Sequence, residues 1–73
     1  MDANQSVELT PDHEHIALCD LLKLAGVAES GAAAKHHIAE GQVLVDGIVE
    51  TRKRCKIRRG QTVEFAGVRL SVA

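Results

Sequence analysis

Aromatic residues are almost absent from this chain of 73 residues, which has no tryptophan, no tyrosine and one phenylalanine, Phe65. Proteins that hold single-stranded nucleic acid usually stack its bases on exposed aromatic side chains. The alternating pattern around Phe65 assigns it to the core, so the sequence offers no such stacking platform. If the chain binds nucleic acid, we expect it to use backbone charge and shape.

Cysteines and long apolar runs are also scarce. The two cysteines, Cys19 and Cys55, lie far apart and no secretory signal precedes them, which indicates reduced thiols in a cytoplasmic protein. The longest apolar runs are a few residues, far too short for a membrane span. A chain of this length has room for one small domain, so we expect a single unit with no membrane partner.

Charges of both signs are present, but they are unevenly divided. Residues 1–50 carry nine acidic and two basic residues, whereas residues 51–73 carry seven basic residues and one acidic residue. The net charge of −1 therefore conceals an acidic part and a basic part. This asymmetry indicates a polyanionic partner for the basic face.

Two helical patterns precede the basic part. Apolar residues recur at i, i+3, i+4 and i+7 from Leu18 to Ala25, and Gly26 follows as a natural helix stop. Ser30 is a favourable N-cap for a second helix, which contains three consecutive alanines and ends at Gly41. The short connection between them predicts that the two helices pack as a pair.

Beyond the helices the apolar residues recur with period two, which is typical of strands. The Asp46-Gly47 pair is a strong signal for a hairpin, because a type I′ turn needs positive φ at both central positions. The predicted fold class is α+β, with two short packed helices against a small antiparallel sheet of about four strands. We place these strands at residues 43–45, 48–50, 62–65 and 68–72.

The first residues differ in character from the rest. Residues 1–15 are predicted to form a flexible acidic arm of charge −4, and residues 16–73 a single domain. The alternation from Val7 to Thr10 could add a short edge strand to the arm. Its charge also suggests the hypothesis that the arm folds back onto the basic part of the chain.

The feature that carries function is the basic segment, residues 52–59, with six basic residues in eight positions. If this segment is extended, Cys55 and Ile57 point towards the core and the opposite side presents Arg52, Arg54, Lys56 and Arg58. Neighbouring cations on that side would lie about 6.6–6.8 Å apart, within reach of successive phosphates on one strand. The planar fork of arginine suits bidentate phosphate contact.

Two alternatives remain for the basic segment. It could be a solvated loop whose charges keep a sheet edge from pairing with other chains. It could also meet an acidic protein surface, in which case the chain is a protein-interaction module. RNA binding should show a steep salt dependence, whereas a protein interface needs an exposed apolar patch.

Metal binding and catalysis are weakly indicated. The histidines and cysteines show neither a Cys-x-x-Cys nor a His-x-x-x-His spacing. His36 and His37 would point about 100° apart on a helix, so we assign them to the surface, where one could lie near RNA. The cations around Cys55 could lower the pKa of its thiol, but its pattern position is inward. We therefore expect no metal, no cofactor, no catalytic residue and no small-molecule substrate.

From Leu18 to Phe65, about two-thirds of the chain, the sequence resembles the S-four domain, a helix–helix–sheet RNA-binding fold with the αL motif. The spacing from Ser30 to Gly41 and on to Gly47 is the most specific part of the resemblance. The matching positions are Leu22-Lys23, Gly26, Ser30, Ala34-Lys35, Ile38, Gly41, Val43, Val45, Asp46-Gly47, Lys56 and Gly60. Among members the chain is similar to the short standalone bacterial proteins of the YbcJ type, through Leu22-Lys23-Leu24, Ser30-Gly31, Ala34-Lys35 and Glu50-Thr51-Arg52.

The resemblance implies that the helix pair and the adjoining loop contact RNA. Carried over by position, the contact residues are Lys23, Ser30, Lys35, Arg52, Lys53, Arg54 and Lys56. Charge alone adds Arg58 and Arg59. Gly31 stands where many members have arginine, which removes one expected phosphate contact. From the residues and the resemblance together, we expect a non-catalytic bacterial module that binds structured RNA in the cytoplasm, either ribosomal RNA at the ribosome or another folded RNA. For the oligomeric state we expect a monomer by default.

Overall fold

Two short helices and seven strands make up residues 3–73, the part of the chain that the computed structural model describes. The helices are α1 (Leu18–Leu24) and α2 (Gly31–Ala39). Neither of them, nor any other helix within this range, has the length and apolar character needed to cross a membrane. The strands are β1 (Ala3–Val7), β2 (His15–Ala17), β3 (Leu44–Val45), β4 (Ile48–Val49), β5 (Lys56–Arg58), β6 (Thr62–Phe65) and β7 (Val68–Val72).

The strands form two sheets. The larger has the order β1-β7-β6-β3-β4, with every pair antiparallel except β1 and β7, which are parallel. The smaller sheet is the antiparallel pair β2-β5. The α+β class and the four predicted strands are confirmed, and the structure adds β1, β2 and β5 to them.

Both predicted helices are confirmed, although they begin in different ways. At the start of α2 the Ser30 hydroxyl accepts a hydrogen bond from the backbone N–H of Ala33 at 3.1 Å. Helix α1 has Ala17 at its N-cap and no side-chain cap. It ends before Gly26, whose φ of 76° lies in the left-handed region that favours glycine.

The core lies where the helix pair, the large sheet and β5 meet. One row of it crosses the sheet through register partners, because Val45 pairs with Val63 and Val63 pairs with Leu70. All three side chains are buried. The smaller sheet contributes Ile57, which is completely buried and ties β5 to the same cluster.

The predicted hairpin at Asp46-Gly47 is confirmed, with φ values of 51° and 81° at the two turn residues. The Asp46 carboxylate accepts the backbone N–H of Thr62 at 2.9 Å and the side-chain amide of Gln61 at 3.1 Å. These hydrogen bonds, the Thr62 bond first, hold the pKa of Asp46 below its usual value. The carboxylate therefore fastens the β3–β4 turn to the start of β6.

The edge strand expected near residues 7–10 lies earlier, at Ala3–Val7. It runs parallel to β7, with Val7 opposite Val72, and backbone hydrogen bonds from Ala73 to Val7 and from Leu9 to Ala73 continue the pairing. A parallel pairing between the two ends of the described chain leaves no local signal in the sequence. The division into a flexible arm and a domain at residue 15 stays a prediction.

Candidate nucleic-acid interface

The basic segment changes conformation along its length. Only Lys56–Arg58 is a strand, whereas Lys53 and Arg54 form a turn in which the Cys55 N–H bonds to the Arg52 carbonyl at 3.2 Å. The prediction that the whole segment is extended, with four cations in one row, is therefore wrong. Backbone hydrogen bonds from α1 hold this turn in place.

The backbone of the turn is attached to the first residues of α1. The N–H of Leu18 donates to the Cys55 carbonyl at 2.9 Å, and the N–H of Cys19 donates to the Lys53 carbonyl at 3.1 Å. The first N–H groups of a helix have no partner within the helix, so the turn supplies the cap that Ala17 cannot. Since Leu18 and Cys19 are buried, the turn is anchored directly on the core.

The strand part of the segment behaves as the alternation predicts. Ile57 is completely buried, and its neighbours Lys56 and Arg58 are exposed on the other face of β5. The partner strand β2 places Ala17 opposite Lys56 and His15 opposite Arg58. Neither of these register partners carries a carboxylate, so the pairing leaves both cations uncompensated across the strands.

Arg52 is occupied by an acidic neighbour. Its Nε and Nη2 donate to the two carboxylate oxygens of Glu50 at 3.0 and 2.9 Å, and its backbone N–H donates to the same carboxylate at 3.0 Å. These bonds hold the pKa of Glu50 down to about 2 and raise the pKa of Arg52. One edge of the guanidinium is thus used within the protein, and Glu50 fixes the start of the turn.

The thiol of Cys55 lies beside this ion pair, 3.7 Å from Nη2 of Arg52. Burial raises the pKa of the Cys55 thiol, and Glu50 raises it further, which outweighs the opposite effect of Arg52. The surrounding cations therefore do not lower the pKa of this thiol, and Cys55 is half-buried at the inward position that its pattern predicts. Cys19 is buried in the core. Among residues 3–73, no three histidine, cysteine or acidic side chains are grouped so as to hold a metal ion.

Arg59 is occupied in a different way. Its Nη2 donates to the backbone carbonyls of Leu9 at 3.2 Å and Thr10 at 2.9 Å. This contact brings residues 9–10 against the end of the basic segment, and β2 then runs beside β5. The chain before residue 16 therefore does return to the basic segment, as hypothesised, through carbonyl contacts and strand pairing.

The remaining predicted contact residues lie on the helices. Lys23 is exposed on the last turn of α1, where it borders a surface depression. A second depression, bordered by Arg54, adjoins the first, because Ile16, Asp20 and Leu24 line both depressions. Ser30 and Lys35 belong to α2, where the Ser30 hydroxyl caps the helix and Lys35 is exposed. The three predicted residues on the helices are thus exposed, and Ser30 already has a structural role as the cap of α2.

The sequence analysis missed two residues near this surface. Glu50 was assigned to a strand and to the stretch Glu50-Thr51-Arg52 of the resemblance, but its contact with Arg52 was not predicted. Its position two residues before Arg52 is a spacing that brings side chains together on extended chain. Ile48 was also assigned to a strand, but its side chain is 72% exposed. Together with Val45, Lys56 and Arg58 it lines a groove between the β3–β4 hairpin and the basic segment.

Known proteins are similar to this chain in sequence. Over 55 residues the chain is 74% identical to YbcJ of Escherichia coli (strain K12), named as a candidate RNA-binding protein, with 75% of this chain and 79% of YbcJ covered. It is 41% identical over 56 residues to RlbA of Bacillus subtilis (strain 168), named as a candidate ribosome maturation protein, with 77% of this chain and 79% of RlbA covered.

The fold agrees with these sequence matches. The solution structure of E. coli YbcJ, described as revealing an αL motif involved in RNA binding, superposes with a TM-score of 0.67 at 63% identity, covering 90% of this chain and 85% of that chain. The family model of the S4 domain, which is the S-four domain of the sequence analysis, matches residues 7–73. The chain therefore belongs to the S4 domain family.

Proposed function

We propose that this chain is a monomeric, non-catalytic module that binds structured RNA through the basic segment and the adjoining helix pair. One observation carries the proposal. Four cations of the segment make no side-chain hydrogen bond or ion pair with any of residues 3–73: Lys53, Arg54, Lys56 and Arg58. Exposed like charges held close together on a fixed backbone repel one another unless an anion lies between them.

RNA fits this surface better than other anions do. The phosphate backbone supplies several negative charges at regular intervals, and arginine binds phosphate oxygens with its fork. Base stacking has little support, since the one phenylalanine, Phe65, packs against the His37 ring at a centroid distance of 4.7 Å. Recognition then rests on backbone charge and shape, which favours a folded RNA over a single strand.

The proposed contacts extend from the turn onto the helices. We propose that Lys23 on α1 and Lys35 on α2, both exposed, contribute further cationic contacts. Arg52 can reach RNA only with the part of its guanidinium that Glu50 leaves free, and Arg59 only with what its carbonyl contacts leave free. We propose that Ser30 acts mainly by capping α2. The name of RlbA makes ribosomal RNA the first target to test.

The test is a binding titration of a folded ribosomal RNA fragment and a single-stranded oligonucleotide, repeated across a series of salt concentrations. Two matched variants sharpen it, Arg58→Gln and Arg69→Gln, because both arginines are exposed on strands and only Arg69 has an acidic partner, Glu64, at 3.3 Å. We expect preference for the folded RNA, and a log–log salt slope that Arg58→Gln reduces by about 0.7–0.9 while Arg69→Gln leaves it nearly unchanged.

Absence of binding to either RNA by the folded protein would overturn the proposal. Equal losses in the two variants would show that net charge, and not this surface, governs binding. A protein-interaction module remains the second candidate, because the neighbouring side chains of Ile48 and Val49 are 72% and 54% exposed. Capture of an acidic protein that depends on the same cations, without RNA binding, would establish it.

A further inference from the structure

The exposure of Ile48 needs an explanation, because at 72% it exceeds that of the other exposed large apolar residues, Leu24 and Val49. Ile48 lies opposite Val45 in the β3–β4 pair, and residues opposite each other in a sheet point to the same face. Val45 is covered by the core, whereas Ile48 continues that face beyond the core. Its side chain therefore forms an apolar wall at the edge of the groove described above.

The other wall of this groove is cationic. Lys56 and Arg58 line the groove from β5, and Arg52, which is bonded to Glu50, lines it as well. Two carboxylates also border the groove, but both are engaged: Asp46 by Thr62 and Gln61, and Glu50 by Arg52. The groove thus joins an uncovered aliphatic surface to two cations that have no acidic partner among the described residues.

We propose that this groove holds one unpaired nucleotide of the bound RNA, with the base lying on Ile48 and the flanking phosphates on Lys56 and Arg58. The inference rests on the proposed RNA binding and specifies what the RNA must contain. A base that leaves the helical stack exposes an apolar face, and proteins cover such faces with aliphatic as well as aromatic side chains. Lys56 and Arg58 stand about 6.6–6.8 Å apart along the strand, which suits successive phosphates.

This inference refines the expectation that the interface reads only charge and shape. The chain has no tryptophan or tyrosine, and its one phenylalanine packs against the His37 ring. A branched aliphatic side chain would therefore cover the base at this one position. The sheet pairing also supplies a control residue of the same chemistry. Val49 lies opposite Leu44 on the other face of the hairpin and does not line the groove.

The experiment compares two RNA hairpins that differ in one feature, a single unpaired nucleotide in the stem of one and a fully paired stem in the other. Each is titrated with the wild-type protein, Ile48→Ala and Val49→Ala. We expect the wild type to bind the bulged hairpin more tightly. Ile48→Ala should lose roughly three- to tenfold in affinity for the bulged hairpin alone, as expected for the loss of a few apolar contacts. Val49→Ala should bind both hairpins like the wild type.

A conservative variant, Ile48→Leu, should retain most of the preference, since it keeps the apolar volume at the groove. Equal affinity of the wild type for the two hairpins, or equal losses in Ile48→Ala and Val49→Ala, would overturn the nucleotide site and leave RNA binding standing. Failure to bind either hairpin would instead count against the proposed function itself. Ile48-dependent capture of an acidic peptide, without preference for the bulge, would assign the groove to a protein and overturn the inference.

Discussion

The β6–β7 hairpin and the β2–β5 pair each carry an exposed arginine on a strand, but the surroundings of its charge differ. In the hairpin, Arg69 lies opposite Glu64 and the two side chains form an ion pair at 3.3 Å. In the β2–β5 pair, Arg58 lies opposite His15 and has no carboxylate partner among residues 3–73. This difference in compensation is why we propose that an external anion binds at the cations of the basic segment.

The same contrast divides the basic segment itself. Arg52 and Arg59 make three and two hydrogen bonds, respectively, to oxygen atoms of Glu50 and of residues 9–10. They hold the backbone of the segment at its two ends. The cations between them are free of such contacts. Density of charge in the sequence therefore overstates the number of groups available to a ligand.

The largest effect on RNA affinity is expected when Arg58 on β5 is given a carboxylate partner, as Arg69 has in the β6–β7 hairpin. His15→Glu places a carboxylate opposite Arg58, at the same register relation that Glu64 has to Arg69. We expect the affinity for RNA at low salt to fall about tenfold, because one cation is neutralised and a negative charge is added beside the others. The measurement is the same RNA titration.

The matching control is Glu64→Gln, which releases Arg69 on the hairpin. It raises the net charge by one without touching the proposed surface, and it should change the RNA affinity much less than His15→Glu does. Similar effects of opposite sign in the two variants would mean that the long-range field of the protein is responsible and that the comparison between the two faces has no functional meaning.

A smaller effect on RNA binding should distinguish Arg52, which is paired with Glu50, from Arg54, which has no such partner among residues 3–73. Arg54→Gln removes a cation without a partner, and we expect the salt slope of RNA binding to fall by about 0.7–0.9. Arg52→Gln removes a cation already paired with Glu50, so the slope should hardly change. Instead, amide hydrogen exchange at residues 52–55 should accelerate, because the two side-chain hydrogen bonds from Arg52 to Glu50 at the start of the turn are lost. The opposite pattern would make Arg52 a direct phosphate contact.

The smallest effect concerns pH. The pKa of Glu50 is lowered from 4.5 to about 2 by its bonds to Arg52, so the carboxylate stabilises the folded protein above pH 4.5. That contribution is lost as the pH falls from 4.5 through about 2. We expect an NMR titration of the Glu50 side chain to show a midpoint near 2, moving towards 4.5 in Arg52→Gln. A midpoint near 4.5 for Glu50 in the wild type would contradict the hydrogen bonds between Glu50 and Arg52.

The elements that the sequence predicted correctly are those whose signals are local. Helix α2 follows from the Ser30 cap and the alanine run, and the β3–β4 hairpin follows from Asp46-Gly47. Strand β1 and the turn in the basic segment depend on partners far along the chain. The turn needs N–H groups of α1, and the strand needs the edge of β7.

The candidate site shows the same limit. The basic residues themselves are visible in the sequence, but which of them are neutralised depends on side-chain geometry at Glu50 and on the carbonyls of Leu9 and Thr10. Ile48 fits a strand pattern as well as any core residue does. The three-dimensional structure is needed to see that the core covers Val45 but does not extend to its register partner Ile48.

The hydrogen bonds from Leu18 and Cys19 to the turn have a consequence for the thermodynamics and the rate of binding. A loop that RNA had to order would lose conformational entropy when the complex forms, and that loss would weaken the affinity. Here two hydrogen bonds from α1 already hold the backbone of the turn, so we expect little ordering when RNA binds. Association should then be limited by collision and electrostatic steering, with no slow rearrangement of the loop afterwards.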